Sequence, residues 1–193
     1  MSRSSQKSSS PSSSKELRIL GIDDSHFEAG DKSCLLIAVL YRNNYVESVF
    51  STRIEVDGED STAKITELLQ KSSCRPDAVM LQGITFGGFN VVDINKLSSE
   101  AGLPVIAVSR KEPDFGEIKA ALQNVSNPEA RWGKIESAGK LRKAGRIYYQ
   151  SAGTDSARDI IASTTVRGNL PEPIRLAHVI ASGVVLGSLH GRA

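Results

Sequence analysis

"SCLLIAVLYRNNYVESVFSTRIEV", Ser33 to Val56, decides how the chain folds. Its first half is a continuous apolar run, the pattern of a buried strand. Asn43 and Asn44 follow, a pair that tolerates positive φ and suits a tight turn. The second half returns with β-branched and aromatic residues. Two such runs joined by two residues predict a hairpin. Upstream, "LRILGIDD" (Leu17 to Asp24) is a third apolar strand; it ends in two acids, and the loop "SHFEAGDK" links it to the hairpin. The three segments predict an antiparallel meander.

After Val56 the pattern changes. Ile65, Leu68 and Leu69 in "STAKITELLQKSS" have helical spacing, with Asp60 or Ser61 placed to cap the start. "DAVML" is a short apolar strand, and "NVVDINKLSSEAG" predicts a helix closed by Gly102. "PVIAVSR" is another strand, "FGEIKAALQNV" a helix, and a weaker stretch surrounds Trp132. "RIYYQSAG" predicts the last strand. "TDSARDIIASTTVRG" and "PEPIRLAHVIASGVVLGSLHG" predict two closing helices, the second with proline in its first turn. Strands alternating with helices predict a parallel arrangement with helices on both sheet faces. The expectation is an α/β fold with a mixed sheet of five or six strands. Ligands in such sheets gather at the carboxyl ends of strands. Asp23 and Asp24 end the first strand, and Gln82 ends the fourth.

Composition narrows the function. A chain of 193 residues suits one well-buried domain, taken as 16–193, after a Ser-rich tail over 1–15 that buries nothing and reads as disordered. The tail lacks the apolar core of a secretory signal. No apolar run approaches the ~20 residues that span a bilayer. The net charge of +2 gives no strong field of the kind that marks a general nucleic-acid binder. The two cysteines, Cys34 in a strand and Cys74 in a loop, form no CxxC and predict neither a disulfide framework nor a Cys-rich zinc site. A reducing compartment, the cytoplasm, fits this usage.

The segment "LQGITFGGFNVVD", Leu81 to Asp93, is where chemistry is expected. A buried strand stops at a glutamine and opens into a loop holding Gly83, Gly87 and Gly88. Glycine lets backbone approach a ligand, and its amides cradle anions; the helix expected from Asn90 aims its positive end the same way. Glycine serves tight strand-to-helix packing equally well.

The order of elements, a meander followed by αβαβα, is ribonuclease H-like, and four motifs narrow it further. "LGIDDS" resembles the "GVDVS" opening of endonuclease V, and "RPDAVMLQGITFGGFN" its "PDLVLVDGNG" segment. "GLPVIAVSRK" is similar to its "PTIGVAKK" strand, and "NLPEPIRLAHVIAS" to its "LPEPTRLAH" signature. All four occur in the same order. "GIDDS", "VDGEDST", "GITFGGFNVVD" and "RLAHVIASG" look closer still to the archaeal DUF99 (UPF0215-type) family, a relative of endonuclease V.

The resemblance implies a divalent-metal nuclease acting on DNA or RNA. Asp23 matches the first-strand metal-binding aspartate, and Asp24 stands beside it. His178 matches a C-terminal histidine, and Arg110 falls where the family has a functional lysine. The third-strand acid has three candidates, Glu55, Asp57 and Asp60, and Asp93 is a further one. Gln82 occupies the position of the fourth-strand aspartate. Together with Gly83, Gly87, Gly88 and Asn90 it lies in the region that holds the flipped, deaminated base in endonuclease V.

Phosphodiester hydrolysis needs an activated water and relief of charge on the phosphate. Mg²⁺ or Mn²⁺ supplies both and prefers oxygen ligands, chiefly carboxylates. Gln82 offers a carbonyl oxygen where a full negative charge is expected, which weakens metal binding and admits a second reading: a nucleic-acid or nucleotide binder without cleavage. Several residues also have plain structural uses. Asp23, Asp24 and Asp57 suit turns, Asp60 suits a helix cap, and "NVVD" reads as a variant capping box. Arg110 and His178 are equally at home on a solvated surface.

Overall fold

The computed structural model describes residues 16–71 and 75–188. The Ser-rich tail and the Cys74 loop lie outside the described residues. The meander forms as expected: β1 (Arg18–Asp24), β2 (Ser33–Arg42) and β3 (Tyr45–Glu55), with Asn43 and Asn44 at φ 46° and 69° in the turn. Then come α1 (Ser61–Lys71), β4 (Ala78–Gln82), β5 (Thr85–Phe86), β6 (Asn90–Val91), α2 (Ile94–Ala101) and β7 (Val105–Ser109). The chain continues through α3 (Phe115–Leu122), α4 (Pro128–Ser137), β8 (Arg142–Ala144), β9 (Ile147–Ala152), α5 (Ala157–Thr164) and α6 (Glu172–Leu186).

The main sheet has seven strands in the order β3-β2-β1-β4-β7-β9-β8, against the five or six expected. Only β1, β4 and β7 run parallel. The last strand, expected parallel, is antiparallel to β7. The cause is the connection. After α3 and α4 the chain re-enters through the β8–β9 hairpin, whose Gly145 turn lies beyond the carboxyl end of β7. β9 must therefore run back. β8 is three residues long and exposes Arg142 and Lys143, so it has no apolar signature to read.

A second difference concerns the glycine segment. No helix starts at Asn90. Asn90–Val91 pairs with Thr85–Phe86 as a small hairpin, and α2 begins only at Ile94.

Alternation along the strands sorts the core into two layers. Leu20, Ile22, Val79 and Leu81 meet Ile65, Leu68, Ile94 and Leu97 of α1 and α2 on one face. On the other, Ile19, Met80, Ile106 and Val108 meet Ile161 of α5 and Ile174 of α6. Each such side chain contributes about 1.5–3 kcal/mol when fully buried. Helices thus cover both faces, as expected. Helix α6 packs unusually close: a Cβ on Gly21 would collide with the backbone of Pro173. That contact fixes the height of α6 over β1, and with it the position of His178. No helix among the described residues is long and apolar enough to cross a membrane.

Candidate metal and nucleic-acid site

Register brings the first two site residues together. Ile22 pairs with Leu81 across parallel β1 and β4, so Asp23 and Gln82 are the next residues on adjacent strands, about 4.8 Å apart in backbone. Asp23 and Asp24 leave β1 on opposite faces. Asp23 turns to α6, where its Oδ2 lies 2.8 Å from His178 Nδ1, and its Oδ1 accepts from the Asp24 amide at 3.0 Å. Asp24 turns to the glycine hairpin, and its Oδ2 accepts from Gly87 N at 2.6 Å. Asp23, Asp24, Gln82 and His178 nevertheless line one open cleft of about 810 Å³ at the sheet edge, with Ser25, His26 and Ser182.

Gln82 is the unusual member. Its Oε1 is buried and has no hydrogen-bond partner. A buried acceptor left unpaired costs about 1–3 kcal/mol. With Asp23 level with it on the neighbouring strand, that oxygen suits a cation. Asp23 and Gln82, level on adjacent strands, and Asp24 on the other face of β1 are oxygen donors of the kind that a hard divalent ion takes. A site for two ions does not fit. Among the described residues no three His, Cys, Asp or Glu side chains form a metal-binding group, in keeping with Asp23 and Asp24 diverging from the strand.

The remaining acids serve the scaffold. Asp57 sits in a left-handed turn at φ 53° and accepts the Phe89 amide at 2.8 Å. Asp60 Oδ1 accepts from Glu55 N and from Asn90 Nδ2, at 3.2 and 2.7 Å. Asp93 is the N-cap of α2, accepting from Lys96 N at 2.9 Å. None of the three, nor Glu55, lines the cleft. Asn90 is fully buried, and its side chain bridges Ser61 N to Glu55 O and Asp60, which leaves it nothing to offer a substrate. Arg110 stands exposed just beyond β7 and is not among the cleft residues.

The three glycines have different surroundings. Gly87 and Gly88 have positive φ and press against Cys34 and Asp57, where a Cβ would crowd. The Gly87 amide is taken by Asp24, so it cradles no external anion. Gly83 instead lines a small, mostly apolar cavity of about 150 Å³ with Ile84, Phe89, Phe115, Ile118 and Ser109. Gln82 of the cleft and Gly83 of the cavity are consecutive residues.

Sequence reasoning missed Arg131. It is 1% exposed, and its guanidinium donates to Ser126 O, Gly58 O, Phe89 O and Asp57 O at 2.5–2.7 Å. It ties α4 to the turn after β3 and to the glycine hairpin. The hairpin in turn holds Asp24: Asp57 N donates to Gly87 O at 2.7 Å, and Gly87 N to Asp24.

Burial sets the charge state of the pair on β1. It raises the Asp23 carboxyl above its ordinary value against the pull of His178. It pushes Asp24 from 3.8 up to about 6, aided by the Asp23 charge and opposed by the Gly87 hydrogen bond. The unfolded chain releases the Asp24 proton near pH 4 and the folded protein near pH 6. The raised pKa therefore favours the fold fully below pH 4, and that contribution is lost as pH rises to 6. In metal-free protein, Asp24→Asn should stabilise by on the order of 2 kcal/mol at pH 7 and by almost nothing at pH 4. Urea unfolding in EDTA at the two pH values checks this; equal stabilities at pH 7 would contradict it.

The chain has relatives in both sequence and fold. A UPF0215 protein of Methanothermobacter thermautotrophicus is 44% identical over 188 residues, covering 92% of each chain. The crystal structure of an Archaeoglobus fulgidus protein of unknown function superposes with a TM-score of 0.83 at 37% identity, covering 91% of this chain and 99% of that one. Ciona intestinalis endonuclease V, solved with DNA containing an inosine, gives a TM-score of 0.55 at 15% identity, covering 86% and 84%. That likeness establishes the ribonuclease H-like fold. The family model described as endonuclease dU matches residues 15–185, and the chain belongs to that family.

Proposed function

We infer that this protein is a divalent-metal-dependent nuclease that cuts nucleic acid beside a deaminated base. The observation that carries the reading is the partnerless, buried Gln82 Oε1, on the residue level with Asp23 on the neighbouring strand and next in sequence to a residue of an apolar cavity. The family name refers to dU, and the Ciona endonuclease V complex holds an inosine; both are deaminated bases.

Asp23, Asp24 and Gln82 would hold the ion. A bound Mg²⁺ or Mn²⁺ supplies charge relief on the phosphate and a more acidic water. Gln82 contributes dipole but no charge, so the site favours one weakly held ion. His178 positions Asp23: its Nδ1–H donates to the carboxylate, which leaves Nε2 carrying the lone pair and able to take a proton. The cavity at Gly83 accepts the extruded base between Phe89 and Phe115, with Ser109 as a polar contact. Extrusion costs a few kcal/mol and is cheapest where pairing is already damaged, a source of selectivity.

The test is incubation of the full chain with single and double strands carrying deoxyuridine or inosine, and with unmodified controls, in Mg²⁺, Mn²⁺ or EDTA. Cutting near the modified base that EDTA abolishes is expected. The neutral Gln82 favours one alternative, a protein that binds such strands without cutting them. Gel retardation with no product, and cutting gained by Gln82→Asp, would establish that alternative.

A further inference from the structure

The β8–β9 turn and α5 enclose a second cleft, of about 290 Å³, that the nuclease reading does not use. Arg146 of the turn and Arg158 of α5 line it, together with Asn169 and Thr165. No carboxylate lines it. Asp159, the acid beside Arg158, lines a different cleft with Glu16 and Asn43. Neither arginine makes an ion pair among the described residues, although others do, such as Arg42 with Glu16 and Arg175 with Glu172.

Edge protection accounts for part of the local charge. Exposed cations on a terminal strand discourage edge-to-edge pairing, which explains Arg142 and Lys143 on β8. It does not explain Arg146, which lies in a turn, or Arg158, which lies on a helix. Two guanidiniums from separate elements lining one acid-free cleft are suited to a phosphate, which takes their planar forks bidentately.

Position supplies the ligand. The β8–β9 turn projects beyond the carboxyl end of β7, the same sheet edge that carries Asp23 and Gln82. The cleft also opens on the α5 and α6 side of the sheet, the side to which Asp23 turns. From β1 to β9 or β8 is three or four strand spacings in the sheet order, roughly 14–19 Å at about 4.8 Å each. At about 3.4 Å per nucleotide, that is roughly four to six nucleotides.

We propose that Arg146 and Arg158 form a phosphate anchor for the nucleic-acid strand, roughly four to six nucleotides to one side of the bond that is cut. This rests on the nuclease reading for its ligand but not on the metal site. The anchor grips the backbone without reading sequence. It also gives a protein of low net charge a local hold on a polyanion.

The experiment is an anisotropy titration of labelled single strands carrying one deoxyuridine, in EDTA so that none is cut. Wild type is compared with Arg146→Ala/Arg158→Ala, on strands with ten nucleotides on each side and with either flank trimmed to two. On the long strand the variant should bind roughly tenfold more weakly, and its log–log salt slope should fall by about 0.7, the share of the one phosphate that the pair holds. Trimming one flank, and only one, should weaken wild type by the same factor and leave the variant unchanged. Both side chains are exposed, and matching melting curves confirm an intact fold. Equal binding by variant and wild type on long strands overturns the anchor and leaves the nuclease reading standing. So does a loss of the same size on every trimmed strand, which would mark a diffuse charge effect. Failure of wild type to bind any strand at low salt removes both.

Discussion

Asp23→Asn protein is expected to lose roughly 10²–10³-fold of its cutting rate while remaining folded. The substitution keeps the side chain's size and lets its amide oxygen meet His178 Nδ1, 2.8 Å from the present Oδ2. It removes the one carboxylate that stands level with Gln82 on the neighbouring strand. Asp23 is 3% exposed and its carboxyl is held above its ordinary value, so neutralising it costs the fold little or even helps. Activity and stability should therefore move in opposite directions. Cutting assays paired with thermal melts read both. A variant that cuts as well as wild type, or that unfolds outright, would contradict the assignment.

Arg131→Met should lower stability by roughly 3–5 kcal/mol, a large share of the 5–15 kcal/mol that holds a typical domain. Methionine fills the volume but donates nothing. Four carbonyls, of Ser126, Gly58, Phe89 and Asp57, lose their donor together. Lysine does not rescue, because one ammonium cannot span carbonyls that a planar fork reaches at once. Urea unfolding measures the loss, and a change below about 1 kcal/mol would show that water replaces the guanidinium. The effect should reach the site as well. Phe89 lines the base cavity, and the Asp57–Gly87 bond sets the amide that holds Asp24.

Part of this was legible in the sequence, for identifiable reasons. Asp23 shows because an apolar strand that ends in an acid aims that acid at the edge where α/β sheets bind ligands. The "RLAH" motif marks His178, and the structure pairs the two across 155 positions. Gln82 shows because its strand is otherwise wholly apolar. The acids that failed to join them sit in polar turns, where a carboxylate has local amides to accept. Asp57, Asp60 and Asp93 each take one, and nothing in spacing separates that use from metal binding. "NVVD" misled because two residues of strand followed by a cap have the same apolar content as the first turn of a helix. Arg131 was invisible: an arginine beside Trp132 reads as surface, since charged residues are rarely buried unless fully paired. β8 is three residues, two of them charged, held by one partner strand, which only tertiary contact defines.

The most direct measurement is Mn²⁺ binding to the metal-stripped full chain, followed by calorimetry for wild type, Asp23→Asn and Gln82→Asp. One ion per chain is expected in wild type, none in Asp23→Asn, and at least tenfold tighter binding in Gln82→Asp, where a charged oxygen replaces a neutral one. Binding that is the same in all three, or absent from all three, would contradict a cation site built on Asp23, Asp24 and Gln82.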